Sequence, residues 1–210
     1  MNSAAMNLAK VLSAPAVEVA PQLLGAHLRH RSAAGVVAVR ITEVEAYSGD
    51  GTDPAAHTHR GPTARNAVMF GPPGRLYVYF SYGMHWCANV VCAPVGTGEA
   101  VLIRAGEVVE GIQLARSRRR AARRDVDLAR GPARLTQALG MTGADNGADL
   151  LRPWSRLALT LAASTSQTAP VRVGPRVGIT KAAELPWRFW LDGEPSVSSF
   201  RGAGPTTHRH

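Results

Sequence analysis

AHLRHRSAAGVVAVRITEVEAY, residues 26–47, is the stretch from which the fold can be read. Val36, Val37, Val39, Ile41 and Val44 are β-branched, and Ala33-Ala34-Gly35 interrupts them, which predicts two strands joined by a tight turn. The second strand runs into Glu43-Val44-Glu45-Ala46-Tyr47. Residues two apart on a regular strand share a face, so Glu43 and Glu45 are expected on one side, ~6–7 Å apart.

Outward from this pair, the text alternates between strands and breaks. Residues 1–14 read as loosely ordered, and Ser13-Ala14-Pro15 as the start of a short helix ended by Gly25. Residues 48–73 form a long loop rich in Gly, Pro, Asp and Thr, a kind of segment that often carries function. Residues 76–91 are β-prone with a turn at Tyr82-Gly83, and 100–104 is another strand. A helix with a dense basic face is expected over 110–124, and a second from Gly131-Pro132 through Leu139, stopped by Gly140. Late strands are expected over 157–162, 171–180 and 187–191, the last before the turn Asp192-Gly193. With no repeat and no linker, one domain over 15–200 is expected, followed by a mobile tail at 201–210.

The chain has 210 residues, of which 45% are hydrophobic, enough for a core. Its formal net charge is +9, which favours polyanionic partners. Of 24 cations only Lys10 and Lys181 are lysines. A codon preference explains arginine over lysine but not the excess over Asp and Glu. No apolar run approaches the ~20 residues of a membrane helix, and the N-terminus lacks the pattern of a signal peptide; a cytoplasmic, nucleoid-associated protein without membrane contact is expected. Cys87 and Cys92, at odd spacing in one apolar run, should face opposite sides of a strand as two buried free thiols.

Chemistry concentrates in the middle third. Glu45 ends a strand where the long loop begins, and a carboxylate there could deprotonate a water. Tyr47, His57 and Tyr79 supply flat faces, and base–aromatic stacking contributes ~1–3 kcal/mol per base. Tyr82, beside Gly83 at a hairpin tip, could act as a wedge filling the gap left by an extruded nucleotide. Arg116, Arg118, Arg119, Arg120, Arg123 and Arg124 form a basic cluster suited to phosphate contact, foremost Arg116, Arg119, Arg120 and Arg123, with a merely solvated helix face as the alternative. His57 and His59 have no third partner nearby in sequence, so no metal is expected. Phosphate-binding GxxxxGK[ST], a GxGxxG after a strand and GxSxG are all absent. Lysine is absent between Lys10 and Lys181, so the amine needed for Schiff-base chemistry is missing from the central region and a water nucleophile is favoured. Three readings stay open on these residues: excision of damaged purines from DNA, a hydrolase of ordinary sugars using Glu43 and Glu45 as paired acids, and a non-catalytic binder of DNA damage.

Five ordered blocks then bring a resemblance: ITEVEAY (41–47), AAHTHRGPTARNAVMFGPPGRLYVYFSYGMHWCANVV (55–91), VLIRAGE (101–107), GPARLTQAL (131–139) and RVGITKAAELPWRFWLDGEPSVS (176–198). The chain resembles the alkyladenine (3-methyladenine) DNA glycosylase family, monofunctional enzymes of base-excision repair, from about Pro21 to Ser198. The resemblance implies an α+β fold, a single mixed domain with a curved antiparallel sheet flanked by helices. It implies an enzyme that flips damaged purines out of double-stranded DNA and hydrolyses the N-glycosidic bond without a cofactor; a monomer is the natural default for a protein that scans DNA. Glu45 would be the general base and Arg104 would help hold water and carboxylate. Tyr47 would stack on one face of the flipped base, with His57 and Tyr79 on the other. Asn89 would disfavour normal guanine at its 2-amino group, and Tyr82 would be the wedge. One departure is the order Gly61-Pro62-Thr63-Ala64-Arg65, where the family pattern has its proline after the threonine.

Overall fold

The computed structural model describes residues 3–49, 51–81, 83–152, 154–162 and 169–200. In chain order the elements are α1 (Ser3–Leu12), α2 (Ala16–Gln22), β1 (His27–Ser32), β2 (Gly35–Tyr47), β3 (Leu76–Ser81), β4 (His85–Cys92), β5 (Glu99–Glu110), α3 (Ile112–Arg118), α4 (Pro132–Leu139), β6 (Leu157–Thr160), β7 (Val171–Gly174) and β8 (Arg188–Leu191). Among the described residues eight strands form one curved antiparallel sheet in the order β3-β4-β5-β2-β1-β6, with β8 joined to β2 and β7 outside β8. Helices flank it, giving the single α+β domain expected.

Strand β2 organises the sheet. Along one edge it pairs with β5. Along the other it pairs first with β1, over Gly35 to Arg40, and then with β8, over Glu43 to Glu45. Where β2 changes partner, its ladder with β5 slips between Ile41 and Glu43, leaving Thr42 outside the register. Before this bulge the odd residues Val37, Val39 and Ile41 enter the core; after it the even residues Val44 and Ala46 do. An extra residue inverts the facing of every later position in the strand, so Glu43, Glu45 and Tyr47 leave the core face. Gly106, opposite Ile41, permits the close approach: a Cβ there would lie 2.7 Å from the carbonyl oxygen of Arg40.

Strands β3 and β4 alternate without such a break, whereas β5 carries a matching irregularity: Arg104 falls outside its ladder with β2, and its core positions change from Val101 and Ile103 to Val108. Leu76, Val78, Ala88, Val90, Cys92, Val101 and Ile103 join the core. The residues between them, including Tyr77, Tyr79, Cys87, Asn89, Leu102 and Arg104, line a cavity on the other face. The two cysteines are buried, unbridged and on opposite faces, as their spacing requires. Leu8 and Leu12 of α1, Val19 of α2, and Leu135 and Leu139 of α4 close the core; each such side chain contributes ~1.5–3 kcal/mol by leaving water.

Several elements depart from the sequence reading. Residues 3–12, expected to be loose, form α1, because Leu8 and Leu12 find the sheet and the Ala93 amide donates to the Leu12 carbonyl (2.9 Å). Helix α2 begins at Ala16 without a serine cap; the Ala16 amide donates to Glu99 Oε2 (2.7 Å), from the far side of the sequence. The basic helix is α3 alone, ending at Arg118 instead of 124. Its arginines turn inward or pair with acids beyond the helix, and Arg119 leaves the helical conformation. Strand β5 reaches Glu110, whereas β7 stops at Gly174, before Pro175, a residue that has no amide to extend a ladder. Helix α4 matches its expected bounds, with Gly140 left-handed at its end (φ 72°). The expected tail at 201–210 lies outside the described residues. Among the described residues, no helix is long and apolar enough to cross a membrane.

Candidate active site

The face inverted by the bulge opens onto a cavity of about 400 Å³, within the usual range of small-molecule sites. Glu45 and Tyr47 from β2, His57 from the long loop, Tyr77 and Tyr79 from β3, Asn89 from β4 and Arg104 from β5 all line it. The structure therefore brings together Glu45, Arg104, Tyr47, His57, Tyr79 and Asn89, six residues spread over 60 positions of the chain. Tyr82 lies outside the described residues. No metal-ligating group of three or more His, Cys, Asp or Glu side chains occurs among the described residues.

Glu45 is fully enclosed and is the one carboxylate among the described residues that lines the cavity. Its Oε1 accepts from the Val177 amide (2.7 Å) and lies 3.3 Å from Arg104 Nη1. Its Oε2 accepts from the Tyr47 hydroxyl (2.9 Å), which leaves a lone pair free on that oxygen. Burial pushes the carboxyl above its ordinary value, and Arg104, the Val177 amide and the Tyr47 hydroxyl pull it back only in part. Burial also lifts the Tyr47 phenol well above its usual range, so it stays a donor.

Glu43 is equally buried but does not line the cavity. Its Oε1 accepts from Arg104 Nε (3.0 Å), Arg188 Nε (2.6 Å) and Ser198 Oγ (2.9 Å), and its Oε2 from the Ser198 amide (2.7 Å). Arg104 thus bridges two carboxylates. Burial alone would lower its basicity, and the charges of Glu45 and Glu43 outweigh that.

The aromatic wall is built on the long loop and β3. His57 Nδ1 lies 3.1 Å from the Tyr77 hydroxyl, and its ring meets that of Tyr79 edge-on at 4.5 Å. Burial, then the nearby Arg65 charge, lowers the His57 pKa, favouring neutral imidazole. Asn66 holds this loop closed: its Nδ2 donates to the carbonyls of His57 (2.9 Å) and Gly61 (3.1 Å), and its Oδ1 accepts from the Thr63 amide (2.6 Å). The loop with the displaced proline therefore keeps His57 in place. Asn89 Nδ2 donates to the Tyr77 carbonyl (3.2 Å), which orients the amide at the cavity edge. Burial raises the Tyr79 phenol and the Cys87 thiol, which are register partners across β3 and β4.

A profile of the methylpurine-DNA glycosylase family matches residues 10–195. The chain belongs to the methylpurine-DNA glycosylase family. A relative from Leifsonia xyli subsp. xyli (strain CTCB07) is 56% identical over 202 residues, covering 93% of this chain and 92% of its own. One from Streptomyces avermitilis is 48% identical over 196 residues, with 93% and 92% covered. One from Mycobacterium tuberculosis (strain ATCC 25177 / H37Ra) is 51% identical over 197 residues, with 92% and 93% covered. Each of these methylpurine-DNA glycosylase relatives bears the name "Putative 3-methyladenine DNA glycosylase".

In this methylpurine-DNA glycosylase scaffold, the basic cluster is divided. Arg116 pairs with Asp125 and Arg124 with Asp127. Arg118 donates to the Ala138 and Leu139 carbonyls, and Arg119 to the Leu128 carbonyl and Gln137. Arg120 and Arg123 are exposed and have no hydrogen-bond or ion-pair partner among the described residues. None of these arginines lines the cavity. The sequence reading missed Tyr77, Arg65 and Val177 in the wall, and Asn66, Asp53, Arg176, Arg188 and Ser198 behind it. Their signal is present: Asn66, Arg176, Arg188 and Ser198 all fall inside the five blocks. Nothing in local spacing told which of them face one another.

Proposed function

We propose that this protein is a monofunctional DNA glycosylase that flips alkylated or deaminated purines out of duplex DNA and hydrolyses the N-glycosidic bond, leaving an abasic site for base-excision repair. The observation that carries this reading is a single buried carboxylate, Glu45, facing a cavity walled by Tyr47, His57 and Tyr79. A water held at the free lone pair of Glu45 Oε2 gives its proton to the carboxylate as its oxygen bonds to the sugar carbon. The electron pair of the broken carbon–nitrogen bond leaves with the base. The carboxylate also opposes the positive charge that develops on the sugar in an oxocarbenium-like transition state. Arg104, held from behind by Glu43, fixes the carboxylate without entering the role of acid.

The rings supply recognition. Tyr47 stacks on one face of the base, with His57 and Tyr79 on the other. A neutral His57 does not repel an alkylated, cationic purine, consistent with the lowering of its pKa. Asn89 screens the base at the cavity edge, Tyr82 is the wedge that fills the vacated stack, and Arg120 and Arg123 are the cations left to meet phosphate. The paired-acid hydrolase of ordinary sugars loses its support, because Glu43 is held by four donors behind the wall and does not line the cavity.

The test is single-turnover excision from a duplex carrying one hypoxanthine, beside release of 3-methyladenine from alkylated DNA, for wild type and Glu45→Gln. The wild type is expected to release base and the variant to be slower by at least ~10²-fold while still binding lesion DNA. Near-wild-type excision by the variant would remove Glu45 from the mechanism. Binding without release by the wild type would leave a damage binder.

A further inference from the structure

Arg176 and Asp53 form an ion pair behind the cavity wall, and neither lines the cavity. Arg176 is 2% exposed and Asp53 0%. The contact is two-pronged, Nη1 to Oδ2 at 2.6 Å and Nη2 to Oδ1 at 2.8 Å. A buried pair of this kind stabilises a fold no better, as a rule, than apolar residues of the same volume. What it adds is direction, and here the directions converge on the base.

Arg176 Nη1 donates to the carbonyl of Ala46, the residue between Glu45 and Tyr47 (3.0 Å). The Ala46 amide donates to the Trp187 carbonyl (2.9 Å), so Ala46 is held by both of its backbone polar groups. The guanidinium lies 4.6 Å from the centre of the Tyr47 ring and 5.2 Å from that of Trp187. The next residue, Val177, gives its amide to Glu45 Oε1. Arg176 Nη2 also approaches the carbonyl of Ala182 (3.4 Å), which sits at φ 47°, a left-handed conformation that side chains other than glycine disfavour. Asp53 in turn accepts from the amides of Ser48 (3.3 Å) and Ala55 (3.0 Å), tying down the start of the loop that carries His57.

We propose that the Arg176–Asp53 pair is a positioning unit that sets Glu45 and Tyr47 against each other through Ala46 and Val177. This rests on the reading of Glu45 as the base. The pair touches neither water nor substrate; it holds the Val177 amide on one carboxylate oxygen while the backed Tyr47 ring keeps its hydroxyl on the other.

The test uses the full chain with Arg176→Lys, which keeps the charge but loses the planar fork, and with the double change Arg176→Met and Asp53→Leu, which removes both charges and refills the space. The double variant strands the Ala46 carbonyl and the Ser48 and Ala55 amides, so it is expected to melt ~3–18 °C below wild type and, below that temperature, to bind lesion DNA within about threefold, while single-turnover excision falls ~10–100-fold, the scale of a small misplacement of a reacting group. The acid limb of its rate–pH profile should move to higher pH, because a loosened Val177 amide no longer favours the ionised form of Glu45. Arg176→Lys should move both readouts in the same direction and decides the matter alone if the double variant does not fold. Titration of the Glu45 carboxyl carbon by NMR supplies a readout that needs no turnover, with a higher midpoint expected in both variants. Failure of the wild type to release base would refute the proposed reaction and leave the titration to judge the pair. An unmoved midpoint, or a wild-type rate and limb in a folded variant, would overturn the inference.

Discussion

Glu43→Gln separates a carboxylate that holds the site from one that reacts in it. The side chain keeps its shape, and a carbonyl at the Oε1 position can still face Arg104 Nε, Arg188 Nε and Ser198 Oγ. The other terminus becomes an amide nitrogen pointing at the Ser198 amide, which had donated to Oε2 at 2.7 Å. Two donors then oppose each other. One hydrogen bond to a charged group is lost, ~1.5–3 kcal/mol, and a buried N–H is left without an acceptor, ~1–3 kcal/mol. The sum, ~2.5–6 kcal/mol, brackets the ~3–5 kcal/mol that is the usual cost of removing one partner from a buried pair. At ~2–4 °C per kcal/mol for a domain of this size, thermal denaturation should show Tm lower by ~6–20 °C. Below that temperature, single-turnover excision should fall less than ~10-fold, against the ~10² or more expected for a catalytic carboxyl.

The pH profile gives the sign of the coupling. Burial is the largest influence raising the Glu45 carboxyl, and the negative charge of Glu43 adds to it. Removing that charge should move the acid limb of the wild-type profile to lower pH, opposite to the shift expected for the Arg176 variants. A Tm within about 3 °C of wild type would refute the energetic reasoning, and a rate loss of ~10²-fold or more would return Glu43 to the chemistry.

Three further outcomes can be checked directly. Because the folded-state pKa of Glu45 is raised above its ordinary 4.5, its protonated form favours the fold; that contribution is complete below about pH 4.5 and is lost as pH rises through the raised value, so Glu45→Gln should not lower Tm at pH 7 by calorimetry. Asn66→Ala strands the carbonyls of His57 and Gly61 and the Thr63 amide, and at ~0.5–1.5 kcal/mol for each of three bonds urea denaturation should show a loss of ~2–4 kcal/mol together with weaker lesion binding. Gly106→Ala forces a methyl against the Arg40 carbonyl, where its Cβ would sit 2.7 Å away, and should cost ~1–3 kcal/mol by the same measurement.

Elements with a local cause were legible in the sequence. Ala33-Ala34-Gly35 turns β1 into β2. Gly140 ends α4 because it takes a left-handed φ without strain. Odd spacing places Cys87 and Cys92 on opposite faces of one strand. Glu45, Tyr47, His57, Tyr79, Asn89 and Arg104 were also legible as a group, because five ordered blocks carried the family pattern. The N-terminal helix was not legible, since Leu8 and Leu12 have a reason to be helical only when the sheet is beneath them. The long basic helix was not either, since Asp125 and the carbonyls at the end of α4 draw its arginines away from a continuous face.

Which carboxylate faces the cavity is a matter of tertiary contact. Glu43 and Glu45 have the same parity and the same burial, and by strand spacing alone they are equivalent. The difference lies in their surroundings: Arg188 and Ser198 reach Glu43 from 145 and 155 positions away and hold it behind the wall, whereas Glu45 lines the cavity. Even their shared face depends on packing, because the slip at Thr42 occurs where β2 exchanges β1 for β8 and where Gly106 lets the backbones close up. A chain without its sheet has no bulge, and without the bulge Glu45 would follow Ile41 into the core.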